Sequence, residues 1–138
     1  MRVICHGIDL VDCHRIEQLT ERHGPRFLNR VFTQAEQQYC RGHRYQAERL
    51  GGRFAVKEAV MKMLGTGWQS GIAWTDIETT NDPLGKPEVC LTGLIAGIAA
   101  EMGIKQVSVS ITHTSDLAIA SAIALGGPEP LSPSPQNG

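Results

Sequence analysis

The 138-residue sequence has no excess of either charge: thirteen Lys and Arg face fourteen Asp and Glu, a net of -1 with histidine neutral. A surface so balanced carries no global attraction for nucleic acid or a membrane, so any anion it recognises must be met by local clusters. None of the four cysteines, Cys5, Cys13, Cys40 and Cys90, stands in a CxxC pair, and the five histidines form no HExxH. A zinc site is therefore not expected, and free thiols in a reducing compartment are. The first residues, Met-Arg-Val-Ile-Cys-His-Gly, lack the apolar core of a secretory leader. No run approaches the roughly 18 apolar residues of a membrane-spanning helix. A soluble, cytoplasmic protein is expected. There is no GxxxxGKS/T loop and no GxGxxG fingerprint, so a phosphate site would have to be built from side chains.

What is present suits one core. A chain of this length, 41% hydrophobic and 20% charged, is long enough for one domain and too short for two ordinary ones. The alternating, branched stretch from Val3 to Leu10 predicts a strand with Asp9 at its end, and Gly7 allows close approach by a neighbour. Asp12 is the expected cap of a helix that stops near Gly24-Pro25, followed by a short helix from Arg26 to Val31. Thr33-Gln-Ala-Glu36 is a capping box that opens a helix to about Arg41, a structural role. A long helix is predicted from about Ala47 to Leu64, with Gly51-Gly52 permitting a close crossing by another backbone. Strands are expected at Trp74 to Thr80 and Glu88 to Leu91 around an Asp82-to-Pro87 turn, then a helix from about Thr92 to Met102. Strands at Gln106 to Thr112 and Leu117 to Ala124 complete an α+β domain over 1–125, with a small antiparallel sheet packed on the long helix and shorter helices. Residues 126–138 are rich in Pro and Ser, poor in apolar side chains, and read as a disordered tail.

The long helix carries the chemistry. Leu50, Phe54, Met61 and Leu64 form one apolar arc and Val56, Ala59 and Met63 cover much of the opposite side, which leaves no wide polar face. Arg53, Lys57, Glu58 and Lys62 must then be paired, liganded or deprotonated, since an unpaired buried charge is very unfavourable, unless the basic side chains snorkel and Glu58 and Lys62 form an ordinary pair. Asp9 and Glu58 could share an oxygen-ligated cation with a substrate's phosphates, the economy magnesium favours. Lys62, Arg53, Lys57, Arg44, Lys86 and His113 offer positive charge or donors for a polyanion. His113 alone is more often an ordinary loop histidine. Arg15, Arg22, Arg26 and Arg30 recur at offsets of seven, four and four, either a solvated face or a docking surface for an acidic protein.

These residues fall into motifs that resemble the holo-acyl-carrier-protein synthases, the small bacterial-type phosphopantetheinyl transferases. The matching pieces are Gly7-Ile-Asp9 with Arg15 and Glu17, Arg26-Phe-Leu-Asn-Arg-Val-Phe-Thr33 with Glu36, and Gly52-Arg-Phe-Ala-Val-Lys-Glu58-Ala with Lys62 and Leu64-Gly-Thr-Gly67. Asn81-Asp-Pro-Leu-Gly85-Lys-Pro87 and Val109-Ser-Ile-Thr-His113 follow in register. The resemblance implies transfer of the 4′-phosphopantetheine arm from coenzyme A to a serine of an apo-acyl carrier protein, in fatty acid biosynthesis, with magnesium as cofactor. It implies Asp9 and Glu58 as metal ligands and, with Lys62 beside the pyrophosphate, as the catalytic set. It implies Arg53, Lys62, Arg44, Gly85, Lys86, Pro87 and His113 around the nucleotide, and Arg15, Arg22 and Arg26 as the carrier-docking surface. It also implies a homotrimer with each site at a subunit boundary, and a proton acceptor that is either Glu58 or a metal-bound water oriented by it. Thr112 stands where many relatives have serine, and Gln18 where the docking helix is often apolar. Two other readings use the same residues: a magnesium-dependent nucleotide hydrolase or phosphotransferase, and a non-enzymatic trimeric module that binds an acidic partner.

Overall fold

The computed structural model describes residues 1–127. Strand β1 (Arg2–Asp12) leads into helices α1 (Cys13–His23), α2 (Pro25–Val31), α3 (Gln34–Arg41) and the long α4 (Gln46–Leu64). A 3-10 turn (Trp74–Asp76) precedes the hairpin β2 (Ile77–Asn81) and β3 (Pro87–Leu91). Helix α5 (Gly93–Glu101) and strands β4 (Ile104–His113) and β5 (Leu117–Gly126) close the chain. The expected α+β architecture is present, with the strands divided between an antiparallel three-stranded sheet ordered β1-β5-β4 and the separate β2-β3 hairpin.

The elements differ from the sequence expectations in three places that matter. β1 runs on to Asp12 because β5 pairs with it down to Leu117, so Asp9 lies inside the strand opposite Ala120 rather than at its end. Trp74–Asp76 is a 3-10 turn, not strand, and the Asp76 side chain accepts the Ala73 N–H. β5 continues to Gly126, one residue into the segment read as tail, and residues 128–138 of that segment lie outside the described residues. Other elements begin or end within a few residues of expectation. The Asp12 cap accepts the His14 N–H, and Gly24, at φ 54, ends α1.

Helix α4 lies across one face of the three-stranded sheet. β5 presents Ala118, Ala120, Ala122 and Ala124, all fully buried, at alternate positions, and small side chains there let the helix sit close. Gly7 does the same in β1: a Cβ there would stand 2.2 Å from the Ala59 carbonyl oxygen, so no larger residue fits without moving the helix. Gly51 and Gly52 meet side chains, Cys13 Sγ and Ile111 Cγ2, rather than another backbone. The opposite face of the sheet exposes Ile8, Leu10, Leu117, Ile119 and Ile123. All four cysteines are free, and burial pushes the Cys40 thiol up to about 11.

Lys57 is fully buried, and this corrects its sequence-based assignment to a polyanion site. Its ammonium donates to Glu36 Oε1 at 2.8 Å, to the Trp74 carbonyl at 3.1 Å and to the Ile77 carbonyl. Glu36 also completes the capping box: it accepts the Thr33 N–H at 2.9 Å while the Thr33 hydroxyl accepts the Glu36 N–H at 3.2 Å. Its other oxygen accepts the Thr79 N–H at 3.0 Å. One carboxylate thus ties α3, α4 and β2 together. Burial lowers the affinity of Lys57 for its proton, and the Glu36 charge opposes that, so the pair stands or falls together.

Lys57→Met should therefore cost about 3–5 kcal/mol by stranding a buried carboxylate. Glu36→Leu combined with Lys57→Met should recover part of that loss, the capping box excepted. Urea titration of the three proteins measures both; a double variant no more stable than Lys57→Met would contradict the pairing.

Candidate active site

Several of the sequence-derived site residues fall into two clusters at opposite ends of α4. The first is Asp9, Glu58 and Lys62. Gly7 brings β1 close to α4, so Asp9, two residues on and on the same strand face, meets the helix where Glu58 and Lys62 stack one turn apart. Lys62 donates to Asp9 Oδ1 at 2.7 Å, with the Asp9 side chain 14% exposed and that of Lys62 58%. Asp9, by hydrogen bond and charge, raises the Lys62 pKa and keeps the ammonium protonated. Glu58 is half-buried, and its carboxyl is pushed above the usual range, first by burial and then by the Asp9 charge. The Trp68 indole, as a hydrogen-bond donor, and Lys62 oppose that rise. Trp68 also packs on Trp74 with centroids 3.9 Å apart, and Trp74 stacks on Phe54 at 5.1 Å, so the 65–71 loop is held over this end of the helix.

The second cluster lines a recess of about 110 Å³ walled by Tyr39, Glu48, Arg49, Gly52, Arg53, Asn81, Gly85, Pro87, Ile111 and His113. His113 Nε2 lies 3.3 Å from Arg49 Nη1 and its Nδ1 lies 3.2 Å from Glu48 Oε2. A guanidinium only donates, so Nε2 is the acceptor in its contact with Arg49. Arg53 is 4% exposed, with Nη2 on Asn81 Oδ1 at 2.5 Å and its Cζ over the Tyr39 ring, 4.1 Å from the ring centre. The Arg49 and Arg53 Nε atoms and His113 Nδ1 are buried without a hydrogen-bond partner, three unpartnered nitrogens at the wall of one recess.

The structure does not gather every predicted residue. Lys86 follows the turn but lines a separate groove of about 510 Å³ between β3, α5 and β4 that shares only Pro87 with the recess. Arg44, its guanidinium 5.4 Å from the Tyr45 ring centre, lines a hollow against α1 that shares only Glu48 with it. Arg15, Arg22 and Arg26 are exposed on α1 and α2 and form no ion pair among the described residues. Their start is fixed to the β4–β5 turn, where the Cys13 N–H reaches the Asp116 carbonyl at 2.8 Å and the His14 ring reaches Asp116 Oδ1 at 2.7 Å. Sequence reasoning missed Glu48, Arg49, Tyr39 and the role of Asn81. The i, i+4 spacing of Arg49 and Arg53 was the one available signal.

Glu58 lies nine residues beyond Arg49, about 13 Å along the helix axis. β1 and β4 flank β5, so Asp9 and His113 stand two strand spacings apart, about 10 Å. No group of three or more Asp, Glu, His or Cys that could enclose a metal exists among the described residues. Asp9 and Glu58 are two hard oxygen donors, and the Asp9 charge raises the cost of ionising Glu58, so the pair suits a cation completed by phosphate and water.

The sequence profile of the 4′-phosphopantetheinyl transferase superfamily matches residues 6–122. The chain belongs to this superfamily. Holo-[acyl-carrier-protein] synthase from Desulforudis audaxviator is 50% identical over 123 residues, 89% of this chain and 93% of that protein. That from Caldanaerobacter subterraneus is 46% identical over 121 residues, 88% and 94% of the two chains. The crystal structure of holo-[acyl-carrier-protein] synthase from Neisseria meningitidis superposes with a TM-score of 0.81 at 31% identity, covering 90% of this chain and 99% of that one. The Helicobacter pylori synthase in complex with coenzyme A gives a TM-score of 0.76 at 29% identity, over 87% and 99%. For this phosphopantetheinyl transferase, both clusters lie within the matched region.

Glu58 should titrate above the ordinary glutamate range, and Asp9→Asn should move that titration to lower pH, because it removes a like charge and frees Lys62 to pair with Glu58. Carboxyl carbon NMR of the metal-free protein follows this directly; a titration unmoved or moved upward by Asp9→Asn would contradict the assigned cause.

Proposed function

We propose that this chain transfers the 4′-phosphopantetheine arm of coenzyme A to a serine hydroxyl of an apo-acyl carrier protein, releasing adenosine 3′,5′-bisphosphate. The observation that carries the reading is the Asp9, Glu58 and Lys62 cluster, two carboxylates and an ammonium at one end of a buried helix, in a chain that belongs to the superfamily. The relatives named as synthases and the synthase solved with coenzyme A support it.

In the reaction the serine oxygen forms a bond to the β-phosphorus as the bond from that phosphorus to the bridging oxygen breaks. Asp9 and Glu58 would hold a magnesium ion, which would supply positive charge beside the pyrophosphate. Lys62, kept protonated by Asp9, lies beside the same phosphates and offsets charge that develops on the leaving group. Glu58 takes the serine proton, directly or through a water it orients. The recess around His113, Arg49, Arg53, Gly85 and Pro87 holds the nucleotide end, with Lys86 and Arg44 at its borders. Arg15, Arg22 and Arg26 receive the acidic carrier, and orienting its serine for in-line attack makes docking part of catalysis.

The two clusters stand at opposite ends of α4, and the bare apolar sheet face invites other copies. The assembly is a trimer in which the carboxylate end of one subunit meets the recess of the next. The enzyme works in the cytoplasm, where coenzyme A and carrier proteins are made and used; no described helix is long and apolar enough to cross a membrane.

Intact-mass spectrometry of an apo-carrier protein mixed with this protein, coenzyme A and magnesium should show a phosphopantetheine-sized gain, lost with chelator or with Asp9→Ala. No gain with several carriers, or phosphate release without an acceptor, would overturn the reading. Arg15→Glu should raise KM for the carrier about tenfold or more, the effect of a reversed interfacial charge, and leave that for coenzyme A nearly unchanged. Ile119→Asp should shift the oligomer toward monomer in sedimentation, and an unchanged mass would remove the sheet face from the assembly.

A further inference from the structure

We propose that Asn81 is a positioning residue for nucleotide recognition: it joins the buried Arg53 guanidinium to the Gly85 carbonyl and so fixes the Gly85–Lys86–Pro87 turn at the mouth of the recess. The inference rests on the recess being the nucleotide half of the site. Arg53 cannot follow a ligand, because Tyr39 covers one side of its plane and Asn81 Oδ1 holds Nη2 at 2.5 Å. Its influence passes through the amide. Asn81 Nδ2 donates to the Gly85 carbonyl at 2.9 Å, and since a guanidinium only donates and a carbonyl only accepts, this single amide orientation satisfies both neighbours.

Among the described residues the turn's other hydrogen bonds run within the hairpin, the Asp82 N–H reaching the Lys86 carbonyl at 2.8 Å where Asn81 pairs with Pro87. Asp82 Oδ1 accepts the Leu84 and Lys86 N–H groups at 2.9 and 2.8 Å, and the Asp82 carbonyl accepts the Gly85 N–H at 2.9 Å. Gly85 takes φ 90, open to glycine at little cost, which leaves its carbonyl free to receive the amide. Those bonds give the turn its shape; the bond from Asn81 gives it a place relative to Arg53 and His113. Leu84, Gly85 and Lys86 are exposed, so no packing would replace it.

Asn81→Asp separates the two functions. It keeps an acceptor for Arg53, which preserves the core side, and sets a carboxylate oxygen against the Gly85 carbonyl. Asn81→Ala removes both bonds without adding charge and guards against a repulsion peculiar to the aspartate. On the full chain, calorimetric titration with adenosine 3′,5′-bisphosphate should show binding about tenfold weaker in both variants, the scale of one lost hydrogen bond that leaves a partner unsatisfied. KM for coenzyme A should rise by a similar factor while kcat and the KM for the carrier change by less than about threefold, a loss of ground-state binding. Amide exchange at Gly85 and Lys86 should quicken, and Asn81→Asp should melt close to the wild-type temperature. Unweakened nucleotide binding in Asn81→Asp, or a fall in kcat without a rise in KM, would overturn the inference while leaving the proposed function standing. Wild-type protein that does not bind adenosine 3′,5′-bisphosphate would overturn the nucleotide reading, and this inference with it.

Discussion

The buried ion pair of Lys57 with Glu36 is the constraint on which the rest of the structure depends. An ammonium without exposed surface in the middle of a nineteen-residue helix is tolerable only where every proton finds an acceptor, and here a carboxylate and two backbone carbonyls supply them. Those acceptors come from α3, from the segment before β2 and from β2 itself. The helix is thereby held in depth and rotation, and the functional side chains on either side of Lys57 inherit that rotation: Arg53 toward the recess, Glu58 and Lys62 toward Asp9 on β1. Such a pair contributes little net stability beside an apolar alternative, so its value lies in selecting one packing.

From this fixed helix follow two sites with different characters. The carboxylate end is partly wet, and its charges work against one another: Asp9 makes Glu58 harder to ionise and Lys62 harder to deprotonate. The recess end is drier and donor-rich, with Arg49 and Arg53 facing His113 and Asn81. One end suits the reacting phosphate and a cation, the other the recognition of a remote anion. Separating them along a helix lets binding energy from the remote part of a substrate be used at the reacting atoms, provided that a second subunit closes the gap.

Much of this could be read before any coordinates. The capping box at Thr33, the αL stop at Gly65 and the glycine at position 7 are local or steric signals, and each stands where expected. Asp9, Glu58 and Lys62 were legible because carboxylates and a lysine among apolar residues demand a reason. What stayed hidden was non-local. Lys57 looked like one more cation for a phosphate, since its partner lies twenty-one positions away and Glu36 already had a capping role. Asp9 was placed at a strand end because pairing with β5, which lengthens β1, leaves no mark on β1 itself. Glu48, Arg49 and Asn81 carry ordinary polar side chains, and only the crossing of α4 over β4 and the hairpin makes them neighbours. The separation of Lys86 and Arg44 into neighbouring hollows was likewise a matter of topology.

The central claim is that the carboxylate cluster of one subunit works with the recess of another. Complementation tests it most directly: Asp9→Ala and His113→Ala chains, each crippled alone, are unfolded together, refolded at equal ratio and assayed for carrier modification. Random assembly should pair an intact Asp9 with an intact His113 in about a quarter of the sites, restoring activity toward that fraction of wild type. Mixed protein no more active than the two variants apart would mean that both halves serve from one chain, and would contradict the account.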